Sequence, residues 1–466
     1  MILLTNWQKY SKACRKHELY YKIEVEYMTE QVSGNKNRII KSSLIVSITT
    51  GIFLFYLTGY VYFLWMVSIV VLSWSLRLLA ERIGTDRKEI DFLSLISIIG
   101  LVLRILSVII NSVYPVLYLS DAQTYEQEGM KIVEEWRNGN LFFTSPSEHF
   151  FYYTYNAIIY FLFGFHPSIV NIVNSFLGVA AALNIYVICN RMFGYKAAKV
   201  SLILCLFFPS LVVWQILNLK EAMVVFLLTA IIRNLYYVQK QIRARTIVSL
   251  AIYVVVLTIT RSYAGIFMAC VVCVYFLIAL RVTVMKKVAV SFAMVAAMGI
   301  VTYKAGMGFF GWEFLKYYNL DTLDLFRNTR YRGGSEVLLD MHINTLSGLL
   351  KFLPVAFLYF MFSPFPWQFG GTMLQMAGAL ENILWYILFF IFTLPGIYYT
   401  LKLKKDRLFS SVLILILMAF TGLYCLQMGN MGFAYRMRGQ LLPIYFIFAS
   451  YGFVQSYNIR KSLKNR

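Results

Sequence analysis

Apolar and polar positions follow one another along this chain in long blocks. Apolar runs of about 18–22 residues recur, the length a helix needs to cross a bilayer. Spans are expected at about 43–59, 61–80, 92–117, 167–190, 197–214, 221–238, 246–261, 264–280, 288–307, 381–401, 408–426 and 440–457. Two apolar stretches, 150–165 and 348–366, are read as interfacial or re-entrant helices. If either crossed, the basic segments after it would change sides.

Those basic segments set the sidedness. Arg82, Arg87 and Lys88, then Arg191, Lys196 and Lys199, then Lys240, Arg243 and Arg245, then Lys402, Lys404, Lys405 and Arg407 all fall on one side. Lysine and arginine concentrate on the cytoplasmic side of membrane proteins. The reading therefore has a basic cytoplasmic tail (1–42), an additional transmembrane hairpin (43–82), a transmembrane domain (92–457) and a second cytoplasmic tail (458–466). Outer segments are expected at 118–166 and 308–380. The fold class expected is an all-α polytopic membrane protein, a bundle of about twelve (11–13) transmembrane helices with amphipathic juxtamembrane helices in the first outer loop. One of these is expected over 121–137, stopped by Asn138-Gly139-Asn140. It would place Asp121, Tyr125 and Glu128 on one face, at i, i+4 and i+7.

Composition agrees. Of 466 residues, 59% are apolar and 17% aromatic, well above the ~45–50% apolar content of soluble chains. The net charge of +21 would suit nucleic acid, but the basic residues lie mainly between spans, so no nucleic-acid partner is expected. The first forty residues are polar and basic, without the apolar core of a cleavable signal. Cys270 and Cys273 form a CxxC within an apolar span and read as small buried hydrophobes. The four histidines (His17, His149, His166, His342) show no ligand spacing, and no metal site is assigned. Carboxylates near the outer face leave room for a divalent cation, without a legible ligand set.

A few charges stand where the lipid pattern does not want them. Asp121 follows a long span. Arg104 lies inside that span, Glu221 opens another, and Arg261 closes one in Thr260-Arg261-Ser262. Arg327, Arg330 and Arg332 fall in the second outer segment, and Arg436 and Arg438 just precede the last span. Ionisable groups in or beside a bilayer are costly and usually functional. A lone carboxylate at the end of a span suits general-base chemistry on a substrate held at the surface. Arginine forks match phosphate oxygens in pairs. The plainer alternatives are ion pairs of Arg104 or Arg261 with Glu221, Glu221 as a helix-dipole partner, and Asp121 as an N-cap.

The order of these pieces resembles a known family. Arg104 is followed by Asp121-Ala122-Gln123-Thr124-Tyr125, a helix end at Phe163-Gly164, Pro167-Ser168-Ile169-Val170-Asn171 and Arg191-Met192-Phe193-Gly194. Then come Phe208-Pro209-Ser210, Lys220-Glu221, Thr260-Arg261, and Tyr435-Arg436-Met437-Arg438 before Leu442-Pro443. From about Phe92 to Gly452 the chain resembles the GT-C superfamily of membrane glycosyltransferases that use polyprenyl-phosphate sugars. The likeness is nearest to the family 39 mannosyltransferase and aminoarabinose-transferase type. Ala122 stands where the family often has a second acid, and Phe150-Phe151-Tyr152-Tyr153 replaces its lysine-proline-proline stretch.

The resemblance implies a GT-C-like fold in the cell membrane, with an active site on the extracytoplasmic face. It implies hexosyl or pentosyl transfer from a polyprenyl-phosphate-linked sugar to a glycan, lipid or protein acceptor, with no certain cofactor. Asp121 would be the catalytic base. Arg261, Arg436, Arg438, Arg330 and Arg332 would bind the carrier phosphate. Tyr125, Glu128, His149 and Trp367 would line the substrate pocket, with Arg104 and Glu221 behind them. Two other activities suit outer-face arginines: a polysaccharide polymerase or ligase using lipid-diphosphate-linked glycans, and a lipid-linked sugar flippase or other transporter.

Overall fold

The structure, a computed structural model, describes residues 60–464 apart from most of 280–319, residues 330–335 and 369–372, and a few single positions. The expected spans 43–59 and 288–307 lie outside the described residues, except for isolated positions of the second, as do Arg330 and Arg332. The chain divides at Trp74, and the second unit is Ser75–Arg466.

Every regular element among the described residues is a helix. In order they are α1 (Tyr60–Ile83), α2 (Arg87–Val113), α3 (Ser120–Arg137), α4 (Phe150–Phe163), α5 (Pro167–Phe193), α6 (Tyr195–Phe207), α7 (Pro209–Gln215) and α8 (Glu221–Lys240). They continue as α9 (Ala244–Thr260), α10 (Ser262–Ala279), α11 (Leu320–Thr329), α12 (Leu346–Phe362), α13 (Met373–Tyr386), α14 (Leu394–Lys402), α15 (Arg407–Cys425) and α16 (Met431–Lys464). A π-helical turn, Ile387–Thr393, joins α13 to α14.

Local chemistry sets many of these boundaries. Asp86 caps α2 by accepting from the Glu89 N–H (2.8 Å), and Glu89 in turn accepts from the Thr85 N–H (2.8 Å). The first bond satisfies an orphan donor of the helix start, and the second ties the residue before the cap to it. Proline, which lacks an N–H, opens α5 and α7 at the position where none is needed. Gly139, Gly164 and Gly194 close α3, α4 and α5 at positive φ.

Among the described residues, six helices are long and apolar enough to cross a membrane, or seven if the bent pair α6–α7 is one span. The chain is thus a multi-pass membrane protein. The expected single span 197–214 is instead two helices that meet at 53°, because Pro209 breaks the hydrogen-bond ladder. The expected span 381–401 begins earlier, and the segment Gln375–Lys402 runs through the π turn. The segment 348–366 holds the 17-residue α12, followed by a cis Ser363-Pro364 bond. The last helix, α16, runs 34 residues, and its stretch 440–452 is buried in protein.

The core sits where α5 packs on α6 and α8, and where α16 packs on α6, α14 and the π turn. Helix α3 lies along α4. The amphipathic α3 buries Tyr125, Gly129, Ile132 and Val133 on one side, as its 3.6-residue period requires. Its first turn carries Asp121.

Candidate active site

Asp121 is the second residue of α3. Leu119 is the N-cap and makes no side-chain cap bond, so Asp121 does not serve as the cap. Its carboxylate turns instead to α16. Arg436 Nη1 donates to Asp121 Oδ2 at 2.7 Å, while 48% of the Asp121 side chain remains exposed.

The other edge of the Arg436 guanidinium holds Glu221. Nη2 donates to Glu221 Oε2 at 3.1 Å, and Nε lies 2.7 Å from Oε1. Glu221 Oε1 also accepts from Arg261 Nη2 at 3.0 Å. The result is a continuous line, Asp121–Arg436–Glu221–Arg261. Of the two arginines considered for an ion pair with Glu221, Arg261 makes it. The Glu221 side chain is 2% exposed, against 17% for Arg436 and 11% for Arg261.

Three helix ends converge to build this line. Glu221 opens α8, where the positive end of the helix dipole favours an acid. Arg261 sits in extended backbone between α9 and α10 (φ −150°, ψ 91°). Arg436 rides the second turn of α16, whose start is held by Asn430 Oδ1 accepting from the Gly432 N–H at 2.7 Å. Arg261 Nη1 also lies 2.9 Å from Met437 Sδ, and Gln440 Nε2 lies 3.5 Å from Glu221 Oε1.

A second layer lies on the α4 side. Lys220 Nζ is 2.6 Å from His149 Nδ1 and donates to the Thr260 carbonyl at 3.2 Å. The same ammonium stands 5.9 Å from the centre of the Tyr125 ring. Tyr125 packs edge-on against His149 and Tyr152. Burial pushes its phenol above the ordinary value, so it stays protonated as a donor. Tyr125 and His149 thus come together beside the ion-pair line. Nothing in the local sequence assigns Lys220 a role except its adjacency to Glu221.

Other candidates lie elsewhere. Arg438 is two residues beyond Arg436, about 200° around the helix at 3.6 residues per turn. It is fully buried and donates to the Met361 and Ser363 carbonyls (2.7 and 3.1 Å) and to Asn382 Oδ1 (2.6 Å). Those contacts, not the Asp121 line, occupy its guanidinium. Glu128 pairs with Lys131 at 2.5 Å on the surface of α3. Trp367 is largely exposed and stacks on Phe365. Arg104 is buried against Gln215 and backbone carbonyls. Arg327 ties α11 to the segment after it: it bonds Asp324 (2.9 Å) and the Leu338 carbonyl (3.1 Å). His342 Nδ1 lies 2.9 Å from the other Asp324 oxygen.

Chemically, the cluster offers an open carboxylate next to two guanidinium groups and a buried ammonium. It can take a proton at Asp121 and hold an anion at the arginines. Among the described residues, no group of three His, Cys, Asp or Glu could hold a metal ion.

No family model and no curated protein matches this chain. Among solved structures it is similar to ArnT from Cupriavidus metallidurans bound to undecaprenyl phosphate, with 15% identity and a TM-score of 0.48 over 78% of this chain and 60% of that one. It is also similar to the Archaeoglobus fulgidus oligosaccharyltransferase in its apo form (15% identity, TM-score 0.45, 79% of this chain and 52% of that one). A third likeness is to the same organism's oligosaccharyltransferase AglB in complex with an inhibitory peptide and a dolichol-phosphate (13% identity, TM-score 0.47, 79% and 51%). The chain spans less than two thirds of the length of each of these structures.

Proposed function

We propose that this chain is a GT-C-type membrane glycosyltransferase. It moves a sugar from a polyprenyl-phosphate carrier to an acceptor hydroxyl on the extracytoplasmic side of the cell membrane. The observation that carries this reading is the 2.7 Å contact between the open Asp121 carboxylate and Arg436, itself coupled through Glu221 to Arg261.

The reaction makes two demands. The bond between the sugar's anomeric carbon and the carrier phosphate oxygen breaks, and its electron pair leaves with the phosphate. The acceptor oxygen bonds to the same carbon and loses its proton. Asp121 receives that proton. Arg436 and Arg261 stabilise the charge that develops on the departing phosphate. Preorganised donors of that kind are worth about 10²–10³ each in rate.

Glu221 makes the arrangement tenable before substrate arrives. Two guanidinium groups this close repel one another, and a buried carboxylate between them cancels the repulsion. A carrier phosphate that engages Arg436 Nη1 competes directly with Asp121 for it. Binding the donor thereby frees the Asp121 carboxylate for the acceptor hydroxyl. Tyr125 and His149 form the adjoining wall of the sugar pocket, and Lys220 adds a third cation to the phosphate side.

The test uses the full chain in nanodiscs with a synthetic polyprenyl-phosphate sugar. Asp121→Asn should cut transfer by about 10²–10⁴ while leaving carrier-phosphate binding intact. Undiminished transfer by that variant would exclude the base role. Lipid movement across vesicles without any sugar transfer by the wild type would instead identify a transporter.

A further inference from the structure

Arg104 sits inside α2 and is fully buried. A guanidinium in such a place is expensive to leave unsatisfied. Five hydrogen bonds to neutral acceptors satisfy it. Nε and Nη2 donate to Gln215 Oε1 at 3.2 and 2.9 Å. Nη1 donates to the carbonyls of Leu206 (2.7 Å) and Gly100 (3.0 Å), and Nη2 to that of Cys205 (3.3 Å).

The choice of carbonyls is informative. In an unbroken helix the Cys205 carbonyl would accept from the N–H of residue 209. That residue is proline and has none. Leu206 likewise lies in the last turn of α6, where carbonyls lose their partners. Arg104 supplies donors to both, and so closes the break at which the chain turns by 53° into α7.

The same side chain grips the far end of α7. Gln215 is its last residue, and its amide fits because position 178 is glycine: a Cβ there would stand 2.1 Å from Gln215 Oε1. From Gln215 the chain runs directly to Lys220 and Glu221. Asn174 Nδ2 holds the Leu217 carbonyl (2.9 Å), and the Tyr152 hydroxyl holds that of Leu219 (2.8 Å). Arg104 therefore anchors the start of a short strap whose other end carries two residues of the candidate site.

We propose that Arg104 is a positioning residue: by bridging the Pro209 break and Gln215, it sets where Lys220 and Glu221 meet Arg261 and Arg436. The inference rests on the glycosyl-transfer reading of that site. It goes further by assigning control of the site's geometry to a side chain buried within a span.

The experiment compares Arg104→Met, Gln215→Leu and Gln215→Glu with the wild type, using the full chain in nanodiscs. Hydrogen–deuterium exchange is read by peptide, and sugar transfer is normalised to folded protein. Arg104→Met and Gln215→Leu should speed exchange across 205–221 while α15 and α16 stay protected. Each should lower kcat at least tenfold, with a smaller change in KM. Gln215→Glu keeps an acceptor for Arg104 and should keep both protection and turnover. Should Arg104→Met fail to fold, the two Gln215 variants still decide the matter. Unchanged exchange in 205–221, or loosened exchange with unchanged kcat, would overturn the proposal. Absence of transfer by the wild type would sink the transfer reading alone, and the exchange pattern would then decide whether Arg104 holds the strap.

Discussion

Arg436 reaches Asp121 across 315 residues of sequence to make a 2.7 Å hydrogen bond. One partner is nearly buried and the other is open to water, and this asymmetry divides stability from chemistry. An ion pair with an exposed member contributes about 0–1 kcal/mol. Asp121→Asn should therefore shift the thermal midpoint by no more than that implies, while transfer falls by about 10²–10⁴, the usual share of a general base. Unfolding curves in detergent and initial rates on the same preparation check both halves. A large loss of stability with retained rate would make Asp121 a structural residue.

Glu221 should behave in the opposite way. Its carboxylate is buried between Arg261 and Arg436. Removing the charge leaves two guanidinium groups facing each other in a poorly solvated place. Breaking such a buried set typically costs about 3–5 kcal/mol. Glu221→Gln should be strongly destabilised in thermal unfolding. A polyprenyl phosphate should rescue it more than it stabilises the wild type, because the phosphate restores the missing negative charge. Equal stabilisation of both proteins would mean that the carrier phosphate binds elsewhere.

Acidity adds a third test, at Glu126 in α3. Burial pushes its carboxyl above the ordinary value, against an opposing hydrogen bond from Asn218. A raised value means the folded chain holds this proton more tightly than the unfolded chain does. Its contribution to stability is greatest below the ordinary carboxylate range and is lost as pH rises through the raised value. Glu126→Gln, neutral throughout, should flatten that part of the profile when unfolding is followed from about pH 4 to 8. An unchanged slope would show that Glu126 ionises in water.

Much of this architecture was legible in the sequence, and the limits have physical causes. Helix α3 was expected over 121–137 and runs Ser120–Arg137, because its apolar period and Asn138-Gly139 stop signal are local. The helix ending at Phe163 and the one opening at Pro167 were readable for the same reason. The bend at Pro209 was hidden inside a continuous apolar run, which hydropathy reads as one span. Partner choice was harder. Glu221 and Arg261 both stand at span ends, so their pairing could be named as an alternative, but Arg104 was an equal claimant until the fold placed it on Gln215. Arg436 and Arg438 carry the same charge two positions apart, and only the phase of α16 separates their roles. Lys220 and His149 lie 71 residues apart, a contact that no periodicity encodes.

The packing of α14 on α16 offers a final test that is independent of chemistry. A Cβ at Gly396 would stand 1.9 Å from the Phe448 carbonyl oxygen, and one at Gly452 would stand 2.0 Å from that of Phe392. The two backbones touch through these glycines, the close approach that lets membrane helices gain contact without a hydrophobic driving force. Alanine is the better helix former by about 0.8–1 kcal/mol, so a glycine in a helix with open space beside it should gain from the change. Gly422 in α15 is such a position, with nothing within 4 Å of its Cβ. Gly422→Ala should raise the thermal midpoint slightly. Gly396→Ala should lower it, because the overpacking cost of about 1–3 kcal/mol exceeds the propensity gain. If both variants shift the midpoint alike in detergent-solubilised protein, α14 and α16 do not meet backbone to backbone.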